Sequence, residues 1–178
     1  RELLAQKSKF SVTDFCQMQL DLTDLRAGQV LPDLLAILRR SDAADVQLAV
    51  QLLEAWDQRA TVDSSAACLY YPFLDRFWAG KFMGAALKDD LFKLLPAAAP
   101  GLNRFDIGTF TRADSPWIAH EGQLTKTICA EMAEVVRRVK KSLGPDPGQW
   151  RWGNLHKVTF GHRLQKHSPW NAMGVGPD

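Results

Sequence analysis

Residues 124–145 read LTKTICAEMAEVVRRVKKSLGP, and this stretch decides the fold class. Leu124, Ile128, Met132, Val135, Val139 and Leu143 fall three or four apart, which places them on one face of a helix of 3.6 residues per turn. Gly144 and Pro145 stop the helix in the usual order: glycine takes the left-handed conformation past the last turn, and proline cannot continue it. Arg137, Arg138, Lys140 and Lys141 make the opposite face basic near the C-terminus, where positive charge offsets the helix dipole. Steering of an acidic substrate is the sharper reading of that cluster. A solvated face is the one helix electrostatics favours.

Upstream, helical spacing recurs. Ser11-Val12-Thr13-Asp14 reads as a helix start, with Ser11 accepting from first-turn amides and Asp14 reaching back as in a capping box. Phe15, Met18, Leu22 and Leu25 continue at helical spacing, and Leu31, Leu34, Leu35 and Leu38 carry it past Pro32, which marks a kink or a second helix with proline in its first turn. Ser41-Asp42 is expected to cap the next helix, whose stripe is Val46, Ala49, Val50, Leu53 and Trp56. Asp63-Ser64-Ser65 opens another, carrying Leu69, Phe73, Phe77 and Trp78, with a kink expected at Pro72. From Gly80 to Gly122 the pattern weakens to a short helix at Asp89 to Leu95 and irregular chain, a length usual either for functional covers or for poorly ordered loops.

Downstream of Pro147 the character changes. The run from Trp150 through Trp152, Gly153 and His156 to Phe160 is rich in aromatic and β-branched residues and is expected to form a short strand or two. The expected organisation is therefore mainly α: a helical domain over 1–147 and a strand-bearing tail over 148–178.

Bulk properties bound the function. The 178 residues are 46% hydrophobic and carry 22 basic against 20 acidic side chains, an ordinary globular composition. A net charge of +2 gives no broad positive field, which argues against a nucleic-acid partner. No run approaches the roughly 20 apolar residues of a membrane-spanning helix. Cys16, Cys68 and Cys129 are odd in number and far apart, so they are expected to be buried thiols rather than disulfides or a metal knuckle. Arg1 opens on helical residues with no cap before it, and Gly176-Pro177-Asp178 stops inside a turn, so a piece of a longer chain is expected.

Three segments resemble the penicillin amidase family. Trp150-Arg151-Trp152-Gly153 with His156, Phe160 and His162 is similar to a W-x-W-G-x-x-H-x-x-x-F-x-H string late in the family's catalytic subunit. Ser11 to Phe15 with Gln19, Asp21, Arg26, Ala27, Leu31, Pro32 and Leu34 resembles its S-x-x-D-x-x-x-x-Q-x-D segment and the helix after it. Leu52-Leu53, Trp56-Asp57 and Asp63-Ser64 are similar to the L-L-x-x-W-D…D-S pattern that follows. Order and separation match as well, and Arg163 departs from a common proline.

The resemblance implies an internal, helical piece of the catalytic subunit of an N-terminal-nucleophile hydrolase, its tail joining the αββα core of that fold. It implies a periplasmic or extracellular bacterial enzyme, matured by autoproteolysis, that cleaves the amide of a small N-acyl compound. The nucleophile, its oxyanion hole and a structural calcium site would lie upstream of Arg1, and the partner would be the remainder of the same precursor. The rival expectation is a helical binding domain with no chemistry.

No catalytic, cofactor or metal residue is expected within the chain itself. Ser64 and Ser65 open a helix and lack the nucleophile-elbow glycines, so capping is the expected role. His156, His162 and His167 have no acidic or cysteine partners at ligand spacing, so hydrogen bonding within the tail is expected rather than metal binding. Trp150, Trp152 and Trp170 suit an acyl pocket, but large aromatics more often fill core. Far-ultraviolet circular dichroism of the chain should be dominated by helix; a spectrum dominated by β-sheet would overturn the fold class.

Overall fold

The computed structural model describes residues 2–76 and 121–158. Among these the elements are α1 (Glu2–Ala5), α2 (Val12–Gln19), α3 (Leu25–Leu38), α4 (Ala44–Glu54), α5 (Ala67–Leu74), α6 (Glu121–Leu143), a 3-10 turn (Pro147–Gln149) and α7 (Trp152–Leu155). No strand forms among the described residues; one isolated antiparallel bridge joins Thr23 to Arg59. The mainly α class stands. Phe77, Trp78, the Asp89 to Leu95 helix, Phe160, His162, Arg163, His167 and Trp170 lie outside the described residues.

The centre of the fold is α5, whose Ala67, Cys68, Leu69, Tyr70, Phe73 and Leu74 are all buried. A helix apolar on every side must be enclosed, and α4, α6 and α7 pack around it while α3 packs on α4 and α6. The long α6 turns Ile128, Met132, Val135 and Val139 inward, as its periodicity predicted, with Val136 beside them and Leu143 partly buried; the Leu124 side chain lies outside the described ones. It ends at Gly144, whose φ of +94° is the left-handed conformation, with the Gly144 amide donating to the Lys140 carbonyl. Lys140 reaches Asp45 in the first turn of α4 at 2.6 Å.

Helix α2 begins with the capping box read from sequence: the Ser11 hydroxyl accepts from the Asp14 amide, and Asp14 accepts from the Ser11 amide. A hydrogen bond from Lys7, then those from Ser11, hold the Asp14 carboxyl at about 2. The apolar series through Leu25 is not one helix, however. The Asp21 carboxylate takes both the amide and the hydroxyl of Thr23, and Asp24 caps α3 by accepting from the Ala27 amide at 2.9 Å. Two local caps thus outcompete continued helix. Phe15, Leu22 and Leu25 stay exposed as a result.

Three further expectations are corrected. Pro32 sits inside α3 (Leu25–Leu38), so no second helix starts at the proline. Proline removes the bond to the Gly28 carbonyl, and both residues lie on the exposed side of the helix. Helix α4 is entered through Ala43 with no side-chain cap; Ser41 instead accepts from the Ala43 amide before the helix starts. Cys16 is exposed, while Cys68 is buried and Cys129 partly so.

The strand expected across Trp150 to Phe160 is, over Trp152–Leu155, a single helical turn. Burial of Trp150 explains the bend. Asp146 caps the 3-10 turn by accepting from the Gly148 amide, and the turn swings the fully buried indole back under α6, where Nε1 donates to the Gly144 carbonyl at 2.9 Å. Trp150→Ala should cost about 3–5 kcal/mol in urea unfolding. Trp150→Phe keeps most of the volume and should cost about 1–2 kcal/mol for the lost N–H donor. A small loss from the alanine variant would show that the indole is not the anchor of this turn.

Candidate functional site

Trp56 is buried where α4 ends, and its indole Nε1 donates to the Arg59 carbonyl at 2.9 Å. Asp57 accepts from the Arg59 amide at 3.0 Å, closing a tight loop. Inside it Gln58 takes φ of +61°, a left-handed conformation that costs a side-chain-bearing residue about 1 kcal/mol. That turn points the Gln58 carbonyl at the Asp24 amide, 2.8 Å away, while the Ala60 amide donates to the Leu22 carbonyl at 2.9 Å. The Trp56-Asp57 loop and the approach to α3 are thereby stitched together.

Asp24 carries the next link. One carboxylate oxygen caps α3, and the other accepts from the Tyr71 hydroxyl at 2.9 Å. Tyr71 packs its ring edge-on to Trp56 at 6.2 Å and against Trp152 at 4.9 Å. Trp152 stacks on His156, with ring centroids 4.9 Å apart and planes within 5°. The Gly153 amide donates to the Val62 carbonyl at 2.9 Å, and Arg151 reaches Asp63 at 3.2 Å. A Cβ on Gly153 would stand 2.5 Å from Val62 Cγ1, so glycine is what lets the two backbones meet. Three segments far apart in sequence converge on one tyrosine.

This arrangement is rich in positioning and poor in chemistry. Ser64 accepts from the Ala67 amide at 3.1 Å, but the N-cap of α5 is Ala66, which has no side-chain cap, so Ser64 braces the turn before the helix rather than capping it as expected. The Ser11 and Thr23 hydroxyls do touch carboxylates, of Asp14 and Asp21. Both contacts are local, and both carboxyls are lowered, Asp14 by Lys7 and Asp21 by Thr23, which makes them weak bases at neutral pH. Burial pushes the Cys68 thiol up to about 11 and raises Cys129 as well, so neither is an activated nucleophile. No group of His, Cys, Asp and Glu that could hold a metal occurs among the described residues.

Of the aromatic residues singled out from sequence, Trp150 is core, whereas Trp152 and His156 line an open groove of about 410 Å³ between the ends of α5, α6 and α7. The basic cluster is largely spent within the fold: Arg137 and Arg138 both hold Glu134 at 2.9 Å, and Lys140 holds Asp45. Sequence reading missed Asp24 and Tyr71. An Asp directly before Leu25 is an ordinary N-cap pattern that could have been recognised; nothing local marks Tyr71.

A family model described as penicillin amidase matches residues 1–177. The match takes in all three motif segments.

Burial, then the hydrogen bond to Asp24, raises the pKa of the Tyr71 hydroxyl. The sign follows: the folded state holds that proton more tightly than the unfolded chain, so the stabilisation is complete below about pH 10 and is lost as pH climbs toward the raised folded value. Tyr71→Phe should cost about 1–2 kcal/mol at pH 7 and should flatten the alkaline fall in stability. An unchanged fall above pH 10, followed by denaturant unfolding, would show that Tyr71 is not its source.

Proposed function

Because the chain belongs to the penicillin amidase family, we propose that it supplies the helical part of the catalytic subunit of an amidohydrolase that cleaves the amide bond of small N-acyl compounds. Substrates of β-lactam, acyl-homoserine-lactone or lipopeptide type fit this reading. What supports it is the family match over residues 1–177.

In this reading the nucleophile is a residue exposed by autoproteolysis at the start of the catalytic subunit, upstream of Arg1. Its freed α-amino group, with an ordinary pKa of about 7.7–8.0, takes the proton from its own hydroxyl as that oxygen attacks the acyl carbon. Backbone amides and an amide side chain stabilise the tetrahedral oxyanion. The Asp24, Tyr71 and Trp152 assembly acts at a distance, holding the helices against the rest of the subunit. The remainder of the precursor is the partner, the compartment is the periplasm or the exterior of a bacterium, and any structural calcium belongs to the upstream part.

The pure 178-residue chain should show no turnover of a chromogenic acyl amide, while the full-length protein should turn it over. Activity in the isolated chain, or a parent reading frame lacking a Ser, Thr or Cys at an internal cleavage site before Arg1, would sink the proposal and leave a helical binding domain in its place. Trp152→Ala in the full-length protein should cost about 2–3 kcal/mol in thermal unfolding and leave the relative turnover of two acyl chain lengths unchanged. A switched preference at an unchanged Tm would make Trp152 a pocket residue instead.

A further inference from the structure

We infer that the groove between the ends of α5, α6 and α7 binds a small amphipathic carboxylate, a molecule with one carboxyl head and a short apolar body. Helix α6 presents two adjacent rows to it. Val135 and Val139, four apart, lie along the floor, and Arg138 and Ser142, also four apart, line the rim. Trp152 and Leu155 of α7 extend the apolar side, and His156 closes the polar one. A concave apolar surface with a few convergent polar groups is the usual form of a small-molecule site.

Some donors facing the groove are left over after the fold's own ion pairs are made. Arg138 uses Nε to hold Glu134 at 2.9 Å, and its two terminal nitrogens have no partner among the described residues. Arg76 gives one terminal nitrogen to the buried Glu131 at 3.1 Å. The Ser142 hydroxyl and the ring nitrogens of His156 have no hydrogen-bond partner among the described residues, the His156 ring being held by stacking on Trp152. A carboxylate accepts only, and its planar pair of oxygens matches the open fork of a guanidinium.

Charge bookkeeping sets the second requirement. Each arginine already shares its charge with a glutamate, and Asp75 also lines the groove. Long-range attraction is therefore weak, and the acid head must be helped by burial of an apolar body against Trp152 and Leu155. A bare acid lacks the body. A neutral amide of the same length lacks the head.

The inference stands apart from the amidase reading, because its test measures binding to this chain and no turnover. Isothermal titration of the 178-residue chain at pH 7 should show saturable binding of octanoate, about tenfold or more tighter than acetate or octanamide. Arg138→Gln should weaken octanoate about tenfold and leave octanamide as it was. Arg138 is exposed and its pair with Glu134 is a surface one, so the variant should keep its fold, which circular dichroism checks. Equal binding of acid and amide, an unaffected Arg138→Gln variant, or no saturable octanoate binding would each overturn the assignment.

Discussion

The carboxylate of Asp24 is the constraint on which the described structure turns. With one oxygen on the Ala27 amide and the other on the Tyr71 hydroxyl, it starts a helix and anchors a ring belonging to a different helix. The Asp24 amide is meanwhile engaged by Gln58, so the residue is held from front and back. A group bonded on both sides leaves α3 little freedom to slide against α5. Apolar packing alone, being non-directional, would permit such sliding.

Around that fixed point the core is conventional in kind and unusual in centre. Helix α5 contributes a largely buried rod, and α6 closes over it with the inward row Ile128, Met132, Val135, Val136 and Val139. The partly covered ion pair of Arg76 and Glu131 sits where α5 meets α6 and fixes direction more than it adds stability, since desolvation offsets most of such a pair's attraction. At the far end of α6, Gly144 and Trp150 turn the chain back beneath the bundle, which is how the Trp152 stack comes to lie on Tyr71.

Much of this was legible in the sequence where one local pattern dominated. The period of α6, its glycine stop and the Ser11 and Asp14 box each involve residues within a turn or two of one another. Legibility failed where two local patterns competed. Phe15, Met18, Leu22 and Leu25 keep helical spacing, yet Asp21 and Asp24 supply caps that interrupt it, and periodicity alone does not weigh one against the other. The run at Trp150 is too short and too aromatic to separate strand from turn by pattern, and burial of one indole decided it. The pairing of Asp24 with Tyr71 spans 47 residues and leaves no local trace. The motif segments were recognisable as a set, and their meeting around Tyr71 became visible only in three dimensions.

The position of α6 in the chain also bears on how the protein is made. Helices α3, α4 and α5 lie between residues 25 and 74, while the helix that covers them begins at residue 121. A ribosome adding about 5–20 residues per second leaves those three helices without their cover for on the order of a few seconds while the intervening chain emerges. During that interval the apolar sides of Phe73, Leu38 and Leu53 have no permanent neighbour from α6, and the nascent chain is at its stickiest. The time for which these three helices need shielding therefore includes the time taken to add the residues between 74 and 121.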